Sequence, residues 1–304
     1  MIVYRELSSL EQDLGLSART LYAVSNHISR HYRKATIPKK RGGYRSLSVP
    51  DEILKCIQRR ITQTLLIHAP VSRYAKAYRF GSSTLRNARH HVGKQVVLKL
   101  DILHFFDSIR YTSVKDKAFP AEIYAEPLRV LLTMLCYHKD ALPQGAPSSP
   151  AISNIILYAF DEQIGQWCRE RGIAYTRYCD DMTFSGDFEP NEVIRLVRVE
   201  LKKLGFLLNE QKTRIQRSGQ RQTVTGIVVN EKLSIPADYR RRLRQELYYC
   251  RKFGIREHLQ KIGLNVPADT YKMQLLGKIN YVLQAHPNDR DLLDFRTWLQ
   301  ESAE

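Results

Sequence analysis

Apolar side chains fall at changing intervals along this sequence, and each change of interval marks a new element. Leu10 and Leu14, then Leu21 and Val24, recur at helical spacing after Ser9 and Ser17, which predicts two short helices joined through Gly15. The Leu14-Gly15-Leu16-Ser17 turn would suit a helix-turn-helix reader of DNA, although local packing is the plainer account. Gly42 and Gly43 lie between basic residues and precede alternating Leu47 and Val49, so Lys39 to Arg45 reads as a hairpin tip. Leu54, Ile57, Ile61 and Leu65 place an amphipathic helix over Glu52 to His68. The run from Gln95 to Leu100 predicts a buried strand ending in Asp101. Ser149 and Pro150 open a helix with the apolar face Ile152, Ile156, Phe160, Ile164 and Trp167, closed by Gly172. Tyr175 to Tyr178 and Met182 to Phe184 flank Asp180-Asp181 as a tight hairpin. From about Pro236 onward the spacing is helical throughout, and no repeat or low-complexity tract interrupts the chain.

Composition narrows the partners. With 304 residues and 43% hydrophobic side chains, the chain can bury a core in one or two packed lobes. Lys and Arg number 48 against 31 Asp and Glu, and the formal net charge of +17 favours a polyanion such as nucleic acid. Cys56, Cys136, Cys168, Cys179 and Cys250 are odd in number and form no Cys-x-x-Cys pair, so neither zinc nor a disulfide framework is expected, and a reducing cytoplasm fits. No apolar run approaches the roughly 18 to 20 residues of a membrane span, and the amino terminus has no basic stretch before an apolar core. Neither secretion nor membrane insertion is expected.

Three carboxylates stand where strands end or turn: Asp101 after Val97-Leu98-Lys99-Leu100, and Asp180-Asp181 after Tyr178-Cys179. An acid pair in a turn is by itself commonplace. Magnesium, however, takes a few carboxylate oxygens and completes its shell with water and phosphate, so converging aspartates suit nucleotide chemistry. Two such ions about 3.5 to 4 Å apart stabilise the attacking and leaving oxygens of an in-line phosphoryl displacement. Phe106, five residues past Asp101, is either an ordinary core ring or a bulky wall against a sugar 2′-hydroxyl. Lys212 is either solvated or a proton donor to a developing oxyanion.

Taken in order, these blocks resemble the palm of a reverse transcriptase, from about residue 36 to residue 230. Leu100-Asp101-Ile102-Leu103-His104-Phe105-Phe106 resembles the first metal motif, which implies magnesium held by Asp101 and the Ile102 carbonyl, with Phe106 as steric gate. Leu142-Pro143-Gln144-Gly145-Ala146-Pro147-Ser148-Ser149-Pro150 is similar to the second motif, whose glutamine shapes the nucleotide and template pocket. Tyr178-Cys179-Asp180-Asp181 resembles the Tyr-x-Asp-Asp box that supplies the other two metal ligands. Gly205-Phe206 through Asn209 and Lys212-Thr213 resembles the fourth motif, with Lys212 placed to protonate departing pyrophosphate. In the basic hairpin, the resemblance puts Lys40 and Arg45 on the triphosphate. It implies an α+β right-hand polymerase: a helical segment at 1–35, fingers at 36–95, a palm of antiparallel sheet on helices at 96–235 and a helical thumb at 236–304. Two magnesium ions and deoxynucleotides would be its cofactor and substrates.

Two further elements resemble the bacterial retron branch. Asn87-Ala88-Arg89-His90-His91 is similar to its Asn-Ala-x-x-His element, and Val224-Thr225-Gly226 to its Val-Thr-Gly element. Either has a structural reading as well, since Asn87 can cap a turn and Gly226 can serve a tight bend. The resemblance implies a cognate structured non-coding RNA as template and primer, priming from a guanosine 2′-hydroxyl, a branched RNA-linked DNA product, and anti-phage defence with an accessory effector protein. RNA contacts would fall to Asn87, His91, Val224, Thr225, Gly226 and the basic helix of Arg240, Arg241 and Arg244, which can track phosphates through shape. The rival expectations are a group II intron-like or unclassified defence reverse transcriptase and a catalytically idle RNA-binding protein. The lack of extra domains argues against the intron type, and the intact aspartates argue against the idle one.

Overall fold

The computed structural model describes residues 3–38 and 42–301. Helix α1 (Leu7–Leu14) starts two residues before the expected Ser9, because Glu6 is the last extended residue and both Ser8 and Ser9 continue the helix. It ends at Gly15, whose φ of +59° is a left-handed conformation that glycine adopts freely. The Arg60 guanidinium donates to the freed carbonyls of Leu14 and Gly15. Ser17 then caps α2 (Ala18–Asn26), accepting from the Thr20 amide at 3.3 Å. Leu10, Leu14, Leu21 and Val24 are all buried in the core, as local packing requires.

Strands β1 (Tyr32–Pro38) and β2 (Tyr44–Pro50) pair antiparallel from Tyr32 opposite Pro50 to Pro38 opposite Tyr44. The hairpin tip, with Lys40, lies outside the described residues. The helix expected over Glu52 to His68 is α-helical only as α3 (Glu52–Arg60); it widens into a π-turn over Ile61–Leu65 and tightens into a 3₁₀ turn over Leu66–His68. At the widening, the Thr62 hydroxyl donates back to the Gln58 carbonyl at 2.8 Å, a competing bond that disturbs the regular ladder. Further on come α4 (Thr84–Arg89), β3 (Val96–Asp101), α5 (Tyr111–Ala118) and α6 (Glu126–Cys136). The helix expected from Ser149 to Gly172 is two, α7 (Ser149–Ile156) and α8 (Tyr158–Glu170), broken at Leu157. Near the break the Ser153 hydroxyl turns back to the Pro150 carbonyl at 2.8 Å.

Then follow β4 (Ala174–Tyr178), β5 (Asp181–Gly186), α9 (Pro190–Lys203) and β6 (Arg214–Arg217). One four-stranded sheet runs in the order β4-β5-β3-β6, which sets the strand ending in Asp101 beside the strand beginning with Asp181. The short hairpin of β7 (Thr223–Val224) and β8 (Ile227–Val228) leads into α10 (Ala237–Phe253), α11 (Ile255–Lys261), α12 (Ala268–Leu283) and α13 (Arg290–Glu301), the all-helical run expected past Pro236. Among the described residues no helix is long and apolar enough to cross a membrane.

The chain divides into two compact units. The first comprises Met1–Ser82, Leu98–Phe184 and Phe188–Ile215; the second comprises Ser83–Val97, Ser185–Asp187 and Gln216–Glu304. In the first, α1, α2, α3 and α5 to α9 bury Leu54, Leu98, Leu132, Ile164 and Phe184 in one core. In the second, Leu85 and Ala88 of α4 share a core with Val224, Ile227, Leu243, Leu247, Leu275 and Ile279.

His286 seals a corner of the second unit. Its Nε2 accepts the Ile235 amide at 3.2 Å and lies 3.2 Å from the Ser234 hydroxyl. Burial first, then the charge of Arg240, hold its pKa below the ordinary value, with Asp289 opposing and Lys232 and Arg244 adding to the effect. Stability from this group is therefore present above the unfolded-state value near 6.5 and is lost as pH falls through the lower folded value. In urea titrations between pH 7.5 and 5, the parent should lose stability through this contact as the imidazole takes up a proton. His286→Gln, which keeps an acceptor that does not titrate, should lessen that loss.

Candidate active site

The central strand β3 is buried along its length and delivers Asp101 at 4% exposure. Past it the Ile102 amide donates to the Asp180 carbonyl (3.2 Å), the Leu103 amide to the Leu207 carbonyl (2.8 Å) and the Asn209 amide to the Asp101 carbonyl (2.8 Å). These bonds fix the two acid-bearing turns and the Asn209 segment against one another. His104, at φ +48°, swings the chain so that Phe105 enters the core while Phe106 stays half-buried. The Phe106 carbonyl accepts the Leu142 amide at 3.1 Å, which ties the Leu142-Pro143-Gln144 loop to it.

That loop is in turn locked to the basic hairpin, since the Ser48 amide donates to the Gln144 carbonyl at 2.9 Å. Gly145 allows this approach: its φ is +115°, and a Cβ there would stand 3.0 Å from the Ser48 carbonyl oxygen. Asp101, Ile102, Phe106, Gln144, Asp180, Asp181, Lys212 and Arg45 thus line one cleft of about 730 Å³.

The acid pair sits on a turn held from beneath. Cys179 has a left-handed φ of +62°, costly for a residue with a side chain by about 1–2 kcal/mol. Arg177, 0% exposed, donates through Nη1 to the Cys179 carbonyl at 2.8 Å. Its other nitrogens engage Asp161, also 0% exposed, with Nε at 2.9 and 3.0 Å and Nη2 at 2.5 Å. The Tyr175 hydroxyl donates to the same carboxylate at 2.7 Å. Above the turn, the Tyr78 hydroxyl meets the Cys179 sulfur at 3.2 Å, and the thiol is pushed up to about 12 by burial and then by the charge of Asp180.

The electrostatics call for a cation. Burial and then the charge of Asp101 raise the Asp180 pKa. Asp181 has an exposed edge, yet loss of solvation within the cleft, followed by repulsion from Asp180 and Asp101, pushes it up to about 6. Lys212 answers part of this charge: its Nζ lies 2.9 and 2.8 Å from the two Asp101 oxygens, and Asn209 Nδ2 adds a bond of 3.1 Å. Burial would lower the lysine, but the bond and charge of Asp101, then Asp180 and Asp181, hold it above its ordinary value. Among the described residues no three His, Cys, Asp or Glu side chains converge tightly enough to hold an ion as they stand. The donor set, all carboxylate oxygens short of positive charge, nevertheless fits a hard divalent cation.

The remaining expected residues belong to the second unit. Asn87 and Val224 are 1% and 0% exposed, and His91 is 0% exposed with Nδ1 2.7 Å from the Ser185 hydroxyl. Their side chains are interior in this structure. Thr225 and Gly226 form the two-residue turn of β7-β8 at φ +47° and +84°, and the Thr225 hydroxyl donates to the Thr84 carbonyl at 3.0 Å. On α10, Arg241 is exposed, Arg240 is half-buried, and Arg244 pairs with Asp289 at 2.7 Å. Sequence reasoning missed Arg177, Asp161 and Tyr78. A charge inside the alternating strand Ala-Tyr-Thr-Arg-Tyr was a readable signal for Arg177; nothing local marked Tyr78.

Three acids at the mouth of a sheet, a lysine among them and a basic hairpin over one cleft define a nucleotidyl-transfer site of the polymerase kind. Residues 37–246 match the family described as reverse transcriptase (RNA-dependent DNA polymerase), and the chain belongs to that family, in its retron branch. It is 36% identical to the retron Mx65 reverse transcriptase of Myxococcus xanthus, over 96% of this chain and 71% of that one. With the retron Ec83 reverse transcriptase of Escherichia coli it shares 33% identity over 72% of this chain and 75% of the relative. For the retron Mx162 reverse transcriptase of Myxococcus xanthus the figures are 32%, 80% and 58%. Among solved structures, a telomerase from Candida albicans superimposes with a TM-score of 0.51 at 11% identity, covering 90% of this chain and 66% of that one. That likeness establishes the fold alone, the α+β right hand of a polymerase. The chain is an RNA-directed DNA polymerase.

Because Arg177 is buried, Arg177→Met leaves Asp161 uncompensated and should cost about 3–5 kcal/mol in urea unfolding. Adding Asp161→Asn should recover much of that stability. DNA synthesis should stay low in both proteins, because the Cys179 carbonyl has lost its donor.

Proposed function

We propose that this protein copies a cognate structured non-coding RNA into DNA using two magnesium ions, starting from a guanosine 2′-hydroxyl and so leaving the DNA branched from the RNA. The observation that carries the chemistry is the convergence of Asp101, Asp180 and Asp181 with Phe106, Gln144, Arg45 and Lys212 on one cleft. In this reading Asp101, the Ile102 carbonyl, Asp180 and Asp181 hold the metal. Two magnesium ions there would stabilise the attacking hydroxyl and the departing pyrophosphate. Arg45, with Lys40 of the same hairpin, binds the triphosphate, and Gln144 on its anchored loop sets the nucleotide against the template. Lys212, kept protonated by the surrounding acids, gives its proton to pyrophosphate as the α-phosphorus bond to it breaks.

The fingers, palm and thumb are assigned to 36–95, 96–235 and 236–304. RNA choice is assigned to the second unit, where Asn87, His91 and Val224 shape a surface from within, and Thr225, Gly226, Arg240, Arg241 and Arg244 stand nearer to it. The retron names of the relatives support a dedicated RNA partner and its RNA–DNA product. An accessory effector and a role in anti-phage defence complete the proposal. Five free cysteines fit work in the cytoplasm.

Primer extension tests the metal assignment. Asp180→Asn should lower synthesis in magnesium by at least about a thousandfold, on the order of the loss of a group required in the transition state, while the Kd for RNA changes little. Robust extension by that variant would remove Asp180 from the ligand set.

Phe106 carries the choice of sugar. Phe106→Val opens the space that a 2′-hydroxyl needs, so the ratio of kcat/KM for deoxy over ribo substrates should fall by about tenfold or more, equivalent to about 1.4 kcal/mol of lost discrimination. An unchanged ratio would make Phe106 a packing residue only.

A further inference from the structure

Residues 71–82 of the first unit contain neither helix nor strand beyond a single bridge at Ala75, yet their backbone is closely held. Arg79 Nη1 reaches the carbonyls of Ser72 (2.9 Å) and Ala75 (3.4 Å), the Ser82 hydroxyl reaches that of Lys76, and Asn154 Nδ2 reaches that of Ala77 (3.1 Å). Such anchoring fixes the loop by hydrogen bonds in addition to its buried Ala75 and Ala77. At its end Phe80 stands 109% exposed, beyond every other large apolar side chain described, the next being Tyr44 at 73%. Two residues earlier, Tyr78 is held at φ +60° and lines the catalytic cleft. Two residues of chain span at most about 7 Å, so Phe80 stands just outside the cleft's edge.

The surroundings favour a nucleic acid over a protein. Arg73, Lys76 and Arg79 alternate along the loop with Tyr74, Tyr78 and Phe80. Burial, then the charges of Arg79 and Arg73, lower the Lys76 pKa, a crowding of like charge that a phosphate backbone would relieve. Tyr74 is packed against Tyr175 and covered by Arg73, so the exposed rings of Tyr78 and Phe80, with Arg73 and Lys76 beside them, make the platform for single-stranded nucleic acid. At a nucleotide pocket the primer is already paired, so the strand that presents unpaired bases is the template.

The geometry points to Phe80 as a stacking wedge that receives the next template base and parts it from its partner in folded RNA before it enters the cleft past Tyr78. This inference rests on the proposed copying of RNA in that cleft. It is tested by single-turnover extension on a plain RNA template and on the same template with a stable hairpin ahead of the primer end, at one salt concentration. Phe80→Ala should slow passage through the hairpin about tenfold or more, the scale of one lost base–aromatic stack, and slow the plain template no more than about threefold. Phe80→Trp should restore passage. A side chain this exposed contributes little to folding, so the melting temperature should stay within about 2 °C of the parent. Equal slowing on both templates, no slowing on either, failure of tryptophan to restore passage, or a drop of many degrees in melting temperature would each overturn the wedge. A parent protein inert on both templates would instead overturn the reading of the cleft.

Discussion

Arg177 is sealed from bulk solvent, and its charge must be met inside the protein or the strand that carries it cannot fold where it does. Asp161 of α8 meets it with both carboxylate oxygens, and Tyr175 completes that carboxylate's bonding. The remaining guanidinium nitrogen has one acceptor left to find, the carbonyl of Cys179. A buried pair of this kind yields little net stability, because desolvation cancels much of the attraction; what it provides is position. It offsets the left-handed strain at Cys179 and fixes the turn on which Asp180 and Asp181 are displayed. The backbone of Arg177 is pinned as well, through the Tyr74 carbonyl at 2.8 Å and the Lys76 amide at 2.7 Å. Helix α8, strand β4 and the acidic turn therefore hang on the side chain of Arg177, and the loop at 71–82 on its backbone.

The site so positioned carries the opposite sign from the protein that holds it. A formal charge of +17 draws in a polyanion, while the cleft concentrates three carboxylates with raised pKa at two of them. Phosphate cannot settle against those acids unless positive charge comes between. Lys212 supplies one unit, and it is committed to Asp101. The imbalance that remains is the physical reason a divalent cation belongs to this chemistry, since an ion of charge two satisfies both the carboxylates and the incoming phosphate.

How much of this was legible in the sequence depends on how local the cause is. Strand β3 and the hairpin around Asp180 follow from runs of apolar residues with acids at their ends, and Ser17 announces its own cap. The break at Leu157 and the widened turn after Arg60 were not legible. Both arise near hydroxyls of Ser153 and Thr62 that bond back along the chain, and a continuous apolar stripe gives no sign of that choice. Asp161 has no local signal, because its partner lies 16 residues away in a strand. Gln144 was readable as part of a rigid turn, but not that its carbonyl would bind the hairpin strand β2.

The second unit separates what a short motif is from what it does. Asn87, His91 and Val224 are sealed inside, and Thr225 is tied by its hydroxyl to the start of α4. Residues so placed support the turn and the helix that carry them. The charges able to meet phosphate lie elsewhere, and not all are equally free, since Arg244 is already paired with Asp289 and Arg251 with Asp294 at 2.6 Å. An arginine held by a carboxylate must exchange that partner for a phosphate, so its net contribution to affinity is smaller than its charge implies. Along α10 the exposed Arg241 is therefore better placed to meet a phosphate than Arg244, whose charge is already answered.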